Sequence, residues 1–418
     1  MTETAQTTTI TAGFIPLIDS AVLLAAATQG FAAEENIDLR LVRETSWANI
    51  RDKIAVGHFD IAHMLAPMPI ASNLGLTPLP TQMIAPMALG TGGNAVALSR
   101  DLWAQAQRHG ATEDGNPARL ARALRSVIAE RPERLTFGIV HPHSSHHYEL
   151  AYLLGFAGIR PGVDVQLAVV PPALMPDALE AGQIDGFSVG EPWGSVAALR
   201  GIGVIATTKS AIWRSSPEKV VGMRQEWAER NAETLAGLIR GLYRAATWCD
   251  DLKNRETLVR MLAAPAHLGI DAAALKAALD GGYGSGADVA PAAKRASIFR
   301  FAAAAASFPW QSHAVWFYSQ MVRWGQTPFR EKDAERARRT FRPDIYRAAL
   351  SPLGVTIPSA NSKIEGALEV PTPVGATRGQ LVLGPDGFFD GRIFDPDRLL
   401  DYIAGFEVAE ATSDSSSR

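Results

Sequence analysis

Between residues 8 and 210 two periodicities alternate, and that rhythm limits what the chain can fold into more than any other feature. Short runs with apolar residues at every second position, the spacing of a strand, exchange with longer runs spaced for a helix. Segments 8–14, 37–42 and 60–65 read as strands, and 19–30, 46–56 and 67–74 as helices. Ser46 stands where a helix N-cap belongs. The rhythm breaks at 81–89 and 94–99, two consecutive strand-like runs around Gly90-Thr-Gly-Gly93. After a helical stretch at 117–130 it resumes, with strands at 135–140, 163–170, 184–189 and 202–207 and helices at 145–155, 172–181 and 192–199. Strand–helix alternation builds parallel sheets covered on both faces. Two such runs separated by consecutive strands predict an α/β protein of two lobes joined by strand crossovers.

After residue 222 helices dominate. Leu235, Leu238, Ile239, Leu242, Tyr243 and Ala246 fall on one helical face. The Ala-rich segment 301–308 suits close helix packing, and 334–341 reads as a basic, solvated helix face. Pro- and Gly-containing segments from 352 to 384 read as loops, and 410–418 as a disordered tail. The expected organisation is a first lobe begun by 1–95, a second lobe at 96–215, and a return to the first lobe over 216–418 with a helical C-terminal region.

The charge balance narrows the function. With 40 Lys plus Arg against 43 Asp plus Glu, the 418-residue chain has a formal net charge of −3. Proteins that hold nucleic acid by bulk charge carry a basic excess, so no direct nucleic-acid contact is expected. Cys249 is the single cysteine; it excludes an intrachain disulfide and reads as a small buried hydrophobe. No run approaches the roughly 18 apolar residues of a membrane span. The first nine residues lack the basic start and apolar run of an export leader, from which a cytoplasmic location is expected.

Motifs for chemistry are sparse. Gly90-Thr-Gly-Gly-Asn-Ala95 and Gly282-Tyr-Gly-Ser-Gly-Ala287 have the spacing of a dinucleotide fingerprint. Neither lies between a strand and a helix, where the mechanism requires it. Four of nine histidines crowd into His141-Pro-His-Ser-Ser-His-His147, where a strand ends and a helix begins. Three readings stay open: a metal site, a packing cluster, or an anion site. In the last, Ser144 or Ser145 caps the helix, its free N–H groups attract an anion, and a histidine adds a donor. Helix starts at Thr45-Ser-Trp47 and Gly190-Glu-Pro-Trp193 sit at similar junctions. No nucleophile with a base and orienter emerges, so no catalytic residue is assigned.

The segments Gly13-Phe-Ile-Pro-Leu17, Glu44-Thr-Ser-Trp47, Ala62-His-Met-Leu-Ala-Pro-Met-Pro69, Asp185-Gly-Phe-Ser-Val-Gly-Glu-Pro-Trp193 and Pro217-Glu-Lys219 follow one another in a known order and spacing. In them the chain resembles the nitrate-binding family of ABC-transporter solute receptors, with its cytoplasmic nitrate/nitrite sensor branch of the NasS type. Phe389-Asp-Gly391 and Phe394-Asp-Pro396 extend the resemblance over nearly the whole chain. It implies the two-lobed type 2 periplasmic-binding fold with the ligand cleft between the lobes. It also implies Trp47 and Asn94 on one side of the ligand, and His146, Pro172 and Lys219 on the other lobe or the hinge. Nitrate receptors carry a longer amide at the Asn94 position. Bicarbonate-binding relatives place acidic residues at the Asn94 and Lys219 positions and recruit calcium. An amide and a cation here imply a monovalent anion, with no metal and no cofactor. Two positions depart from the family: Ile18 replaces a usual Thr, which bears on ligand identity, and Ser188 replaces a common Cys, a near-isosteric change.

The sensor branch implies nitrate or nitrite as effector and a NasT-type RNA-binding antiterminator as protein partner, released when the anion closes the lobes about the crossover strands. A solute receptor of a nitrate ABC transporter is the alternative. An enzyme on the same fold, of the thiamin-precursor type, is another, and it needs histidines in the cleft as reactants or metal ligands.

Overall fold

The computed structural model describes residues 7–281 and 299–406. The Gly282-Tyr-Gly-Ser-Gly-Ala287 cluster and the 410–418 tail lie outside the described residues. Two five-stranded sheets form the frame. The first comprises β1 (Thr8–Phe14), β2 (Ile37–Arg43), β3 (Ile61–Leu65), β4 (Met83–Ala88) and, far along the chain, β11 (Lys219–Arg224), in the order β2-β1-β3-β11-β4. A short β5 (Thr91–Gly92) follows β4. The second sheet comprises β6 (Asn94–Ser99), β7 (Thr136–Ile139), β8 (Gln166–Val169), β9 (Gly186–Gly190) and β10 (Gly203–Thr208), in the order β10-β6-β9-β7-β8.

Neither sheet is wholly parallel, which corrects the expectation. β1 runs parallel to β2 and β3, but β11 is antiparallel to both its neighbours, β3 and β4. In the second sheet β7 is parallel to β8 and β9, whereas β6 is antiparallel to β9 and β10. The reversed strands are those by which the chain passes between sheets: β6 enters straight from β4 and β5, and β11 enters from β10. No crossover helix of the βαβ kind intervenes at the first passage, so the strand direction is reversed. The second sheet opens at Asn94, just ahead of the expected boundary at 96.

Local chemistry places the helices. Ser46, Ser99, Asn116 and Ser144 each accept a backbone N–H from three residues on (Asn49, Leu102, Arg119 and His147), at 3.1–3.2 Å. Each cap satisfies a donor the first turn would leave free. The helix Ala232–Asp250 buries Leu235, Leu238, Ile239, Leu242 and Ala246 against the first lobe, beside the helix Ala21–Thr28.

Two C-terminal expectations need correction. Residues 301–308 form only a 3-10 turn, Ala303–Ala305, in which Ala304 and Ala305 have φ of 53° and 60°. The Asp250 carboxylate takes the N–H groups of Phe301, Ala302 and Ala303 at 2.8–2.9 Å, and holds the segment away from helical geometry. The C-terminal region is also more than a return to the first lobe. The helix Gln311–Arg323 packs against both Pro67–Asn73 of lobe one and Ser145–Phe156 of lobe two. Tyr152 reaches Asp390 at 2.8 Å, and Trp213 stacks on Phe388 with centroids 4.6 Å apart. Within the stretch read as loop, Thr372–Val374 pairs antiparallel with Leu381–Leu383. Among the described residues no helix is long and apolar enough to cross a membrane.

Candidate functional site

At the junction of the two sheets the fold gathers a buried ionic cluster. Lys219 opens β11 and is 0% exposed. Its Nζ lies 2.8 Å from Asp19 Oδ2, contacts Glu218 Oε1, and stands 5.3 Å above the centre of the Trp47 ring. Trp47 reaches it from the first turn of the helix Trp47–Ala55, which the Ser46 cap anchors. His63 of β3 lies beside the indole with ring centres 5.3 Å apart, and its Nε2 is 2.9 Å from Asp19 Oδ1.

Glu218 is the hub of the second-lobe half. Asn94 Nδ2, at the start of β6, donates to Glu218 Oε2, as does Ser145 Oγ from the first turn of Ser145–Phe156. Lys209 Nζ contacts the same oxygen, lies 2.8 Å from Glu149 Oε1 and donates to the Pro217 carbonyl at 2.7 Å. His146 Nε2 is 3.3 Å from Glu218 Oε1. All these groups are buried.

Burial raises a carboxyl and lowers an ammonium, and the pairing opposes both. Against that burial, Lys219 and His63 hold Asp19 below its ordinary value, and Lys209 and Lys219 hold Glu218 well below. Asp19 and Glu218 raise Lys219 above its ordinary value despite burial. Glu149 is the exception: burial pushes it up to about 7 against the pull of Lys209. Burial pulls His146 down to about 3, so the ring is neutral near pH 7 and offers N–H, not charge.

Of the five residues that sequence reasoning singled out, Trp47, Asn94, His146 and Lys219 meet here. Pro172 is buried at the first position of a 3-10 turn, Pro172–Leu174, after β8, and no hydrogen bond or ring contact joins it to the other four. Asn94, His146 and Lys219 reach Glu218, and Trp47 lies against His63 and Lys219, so Lys219 is already answered by the protein's own carboxylates. Sequence reasoning missed Lys209, Glu149 and His63. Lys209 follows Thr208, which caps the short helix Lys209–Ile212, and that cap was the one local signal near it. Some polar atoms remain open: Trp47 Nε1, Asn94 Oδ1 and His146 Nδ1 are buried with no hydrogen-bond partner among the described residues.

The other histidines of the cluster pack. His143 N–H bonds His141 Nδ1 at 3.0 Å, His143 Nδ1 lies 3.1 Å from Gln326 Oε1, and His147 Nδ1 lies 2.7 Å from the Pro142 carbonyl. Burial lowers His141 to about 3 and His143 to about 4. Among the described residues no group of three or more His, Cys, Asp or Glu is placed to hold a metal. Gly90-Thr-Gly-Gly93 forms the turn between lobes, pairing Thr91 and Gly92 with Arg300 and Phe299. Ile18 is buried, and its N–H donates to the Glu191 carbonyl at 2.9 Å, tying lobe one to the start of the Trp193–Leu199 helix. Ser188 is buried in β9 opposite Val96.

Residues 3–263 match the NMT1-like family. Nitrate import ATP-binding protein NrtC of Synechocystis sp. is 34% identical over 401 residues, which cover 95% of this chain and 55% of that protein. The nitrate/nitrite binding protein NrtA of Nostoc sp. is 29% identical over 413 residues, covering 96% of this chain and 86% of that one. The crystal structure of the periplasmic nitrate-binding protein NrtA from Synechocystis PCC 6803 superposes with a TM-score of 0.84 at 26% identity, over 97% of this chain and 99% of that one. The architecture is the two-lobed periplasmic-binding fold.

Proposed function

Because the chain belongs to the NMT1-like family, we propose that it is a receptor that binds nitrate or nitrite between its two lobes. One observation carries the reading. Trp47, Asn94, His146 and Lys219, drawn from four separated segments, converge at the sheet junction, with Trp47 Nε1 and His146 Nδ1 still unpartnered among the described residues. Buried polar atoms are ordinarily satisfied, and indole and imidazole N–H groups are donors suited to an oxyanion. The indole face beside Lys219 supplies a flat wall for a planar ion, and a buried ammonium acts in a medium where its charge is little screened. Its relatives NrtA are named for nitrate or nitrite binding. These are binding proteins, and the chain is a binding protein rather than an enzyme.

The relatives support delivery of the anion to an ABC importer better than they support signalling. Assignment to the cytoplasmic sensor branch, with release of a NasT-type antiterminator, is the finer proposal; the segments around Trp47, Pro192 and Lys219 suit both branches. Tryptophan fluorescence tests the ligand: titration with nitrate, nitrite, bicarbonate and chloride gives a saturable change with a nitrogen oxyanion and little with the other two. A response to bicarbonate alone overturns the reading. Capture of a purified NasT-type protein, reversed by nitrate, separates the sensor from the transport receptor.

A further inference from the structure

The Glu218 carboxylate holds the position that an anion would claim. It collects Asn94 Nδ2, Ser145 Oγ, Lys209 Nζ and Lys219 Nζ, with His146 Nε2 at 3.3 Å. The four donors come from β6, from the helix Ser145–Phe156, from the helix Lys209–Ile212 and from β11, and two of them, Asn94 and Lys219, belong to residues that the family resemblance assigns to the ligand. A carboxylate and a nitrate ion have the same charge and the same planar pair of oxygens. The donors around Glu218 are therefore arranged for either.

Charge opposes an anion entering beside it. On the side of Gly90 and Phe301 the cluster borders a cavity of about 10 Å³, room for no more than about one water. Lys209 and Lys219 face three carboxyl groups, Asp19, Glu149 and Glu218. A second anion would meet surplus negative charge in a low-dielectric site. If an anion replaces the carboxylate, the charge at the donors is unchanged.

We propose that Glu218 is a tethered occupant of the anion site, and that ligand binding is an exchange in which a planar monoanion takes over the donors now held by the Glu218 carboxylate. This rests on the anion-receptor reading and adds to it a residue that sets affinity and ligand class. The class includes small carboxylates such as formate and acetate, which reproduce the group displaced. Chloride, a single sphere, cannot span the two sets of donors that meet Oε1 and Oε2.

The test compares wild type, E218Q and E218A by calorimetry with nitrate and formate, alongside thermal unfolding. Removing the competitor frees the donors that Glu218 holds and takes one negative charge away from beside them, so nitrate binds both variants at least about tenfold more tightly than wild type. Formate raises the melting temperature of E218A and leaves wild type nearly unchanged. Glutamine keeps the shape of glutamate, so E218Q carries the test if E218A does not fold. Folded variants that bind nitrate no better than wild type, where wild type binds it, overturn the exchange and leave the receptor reading standing. If wild type binds neither nitrate nor nitrite, the receptor reading fails. Formate stabilisation of E218A then still reports the occupancy of the site by Glu218, and its absence removes the exchange too.

Discussion

Lys219 keeps its charge inside the protein because Asp19, Glu218 and the Trp47 ring surround its ammonium. Removing one partner of a buried ion pair costs roughly 3–5 kcal/mol, since the other is left uncompensated. K219A is therefore expected to lower stability by that order and to abolish the nitrate response in fluorescence. Retained nitrate affinity in a folded K219A protein would remove Lys219 from the site. The residues brought together here were legible only in part. Trp47, Asn94, His146 and Lys219 were found through the family resemblance. Lys209 and Glu149 were not, because a buried lysine and its carboxylate stand 60 residues apart in sequence and look like ordinary surface groups until the fold pairs them. Within the histidine cluster His146 faces the ionic cluster at Glu218, while its neighbours answer one another, Pro142 and Gln326.

Two buried carboxyls show how the elements respond to pH in opposite directions. Glu365 accepts from Ser312 Oγ at 2.6 Å and pairs with Lys363; against burial, Lys363 and His313 hold it at about 2, below its ordinary 4.5. Its contribution is present above pH 4.5 and is lost as pH falls toward 2. Glu191, before the helix Trp193–Leu199, accepts the Ser195 N–H at 3.0 Å, and burial pushes it up to about 7. Its folded value lies above 4.5, so stability declines as pH rises from 4.5 through 7, by up to about 3 kcal/mol. Denaturant midpoints should show E191Q with a flatter profile than wild type between pH 5 and 8, and E365Q less stable than wild type at pH 7. An E191Q profile that matches wild type contradicts the assignment.

The crossover turn gives a steric prediction. Gly90 has φ of 137°, and a Cβ there would stand 2.5 Å from the Arg300 carbonyl oxygen. G90A should cost at least about 1–3 kcal/mol by equilibrium unfolding, the price of a strained backbone site. Strand identity and helix starts were legible because both are local: caps at Ser46 and Ser144 and period-two runs sit in the sequence itself. Strand direction was not, because periodicity does not record which way β6 and β11 run. The segment 301–308 misled for a similar reason, since Asp250 claims its N–H groups from 51 to 53 residues away.

On the scale of the whole molecule, the C-terminal region links the lobes. Trp316 lies within ring contact of Tyr152 and Trp213 on the second-lobe side, and its Nε1 donates to Tyr402 at 3.2 Å. On the first-lobe side Asn73 donates to Thr340 at 2.8 Å. Lobe motion about the crossover strands must carry or slide this layer. W316A, which empties its centre, is expected to destabilise by about 3–5 kcal/mol and to raise hydrogen exchange in the helix Ser145–Phe156 more than in β1. Equal exchange in both would mean that the extension does not support the second lobe. Two-lobed architecture was visible in the strand–helix rhythm, but this bridge was not, since the ring contacts of Trp316 reach residues 103 and 164 positions away.

The central claim is that the sheet junction is an anion site built on Lys219 and Trp47. Calorimetric titration of the full chain with nitrate and with nitrite tests it most directly. The account predicts saturable binding of at least one of them, with a stoichiometry near one per chain, lost in K219A. An absence of binding heat with both anions, across temperatures and in a folded protein, would contradict it.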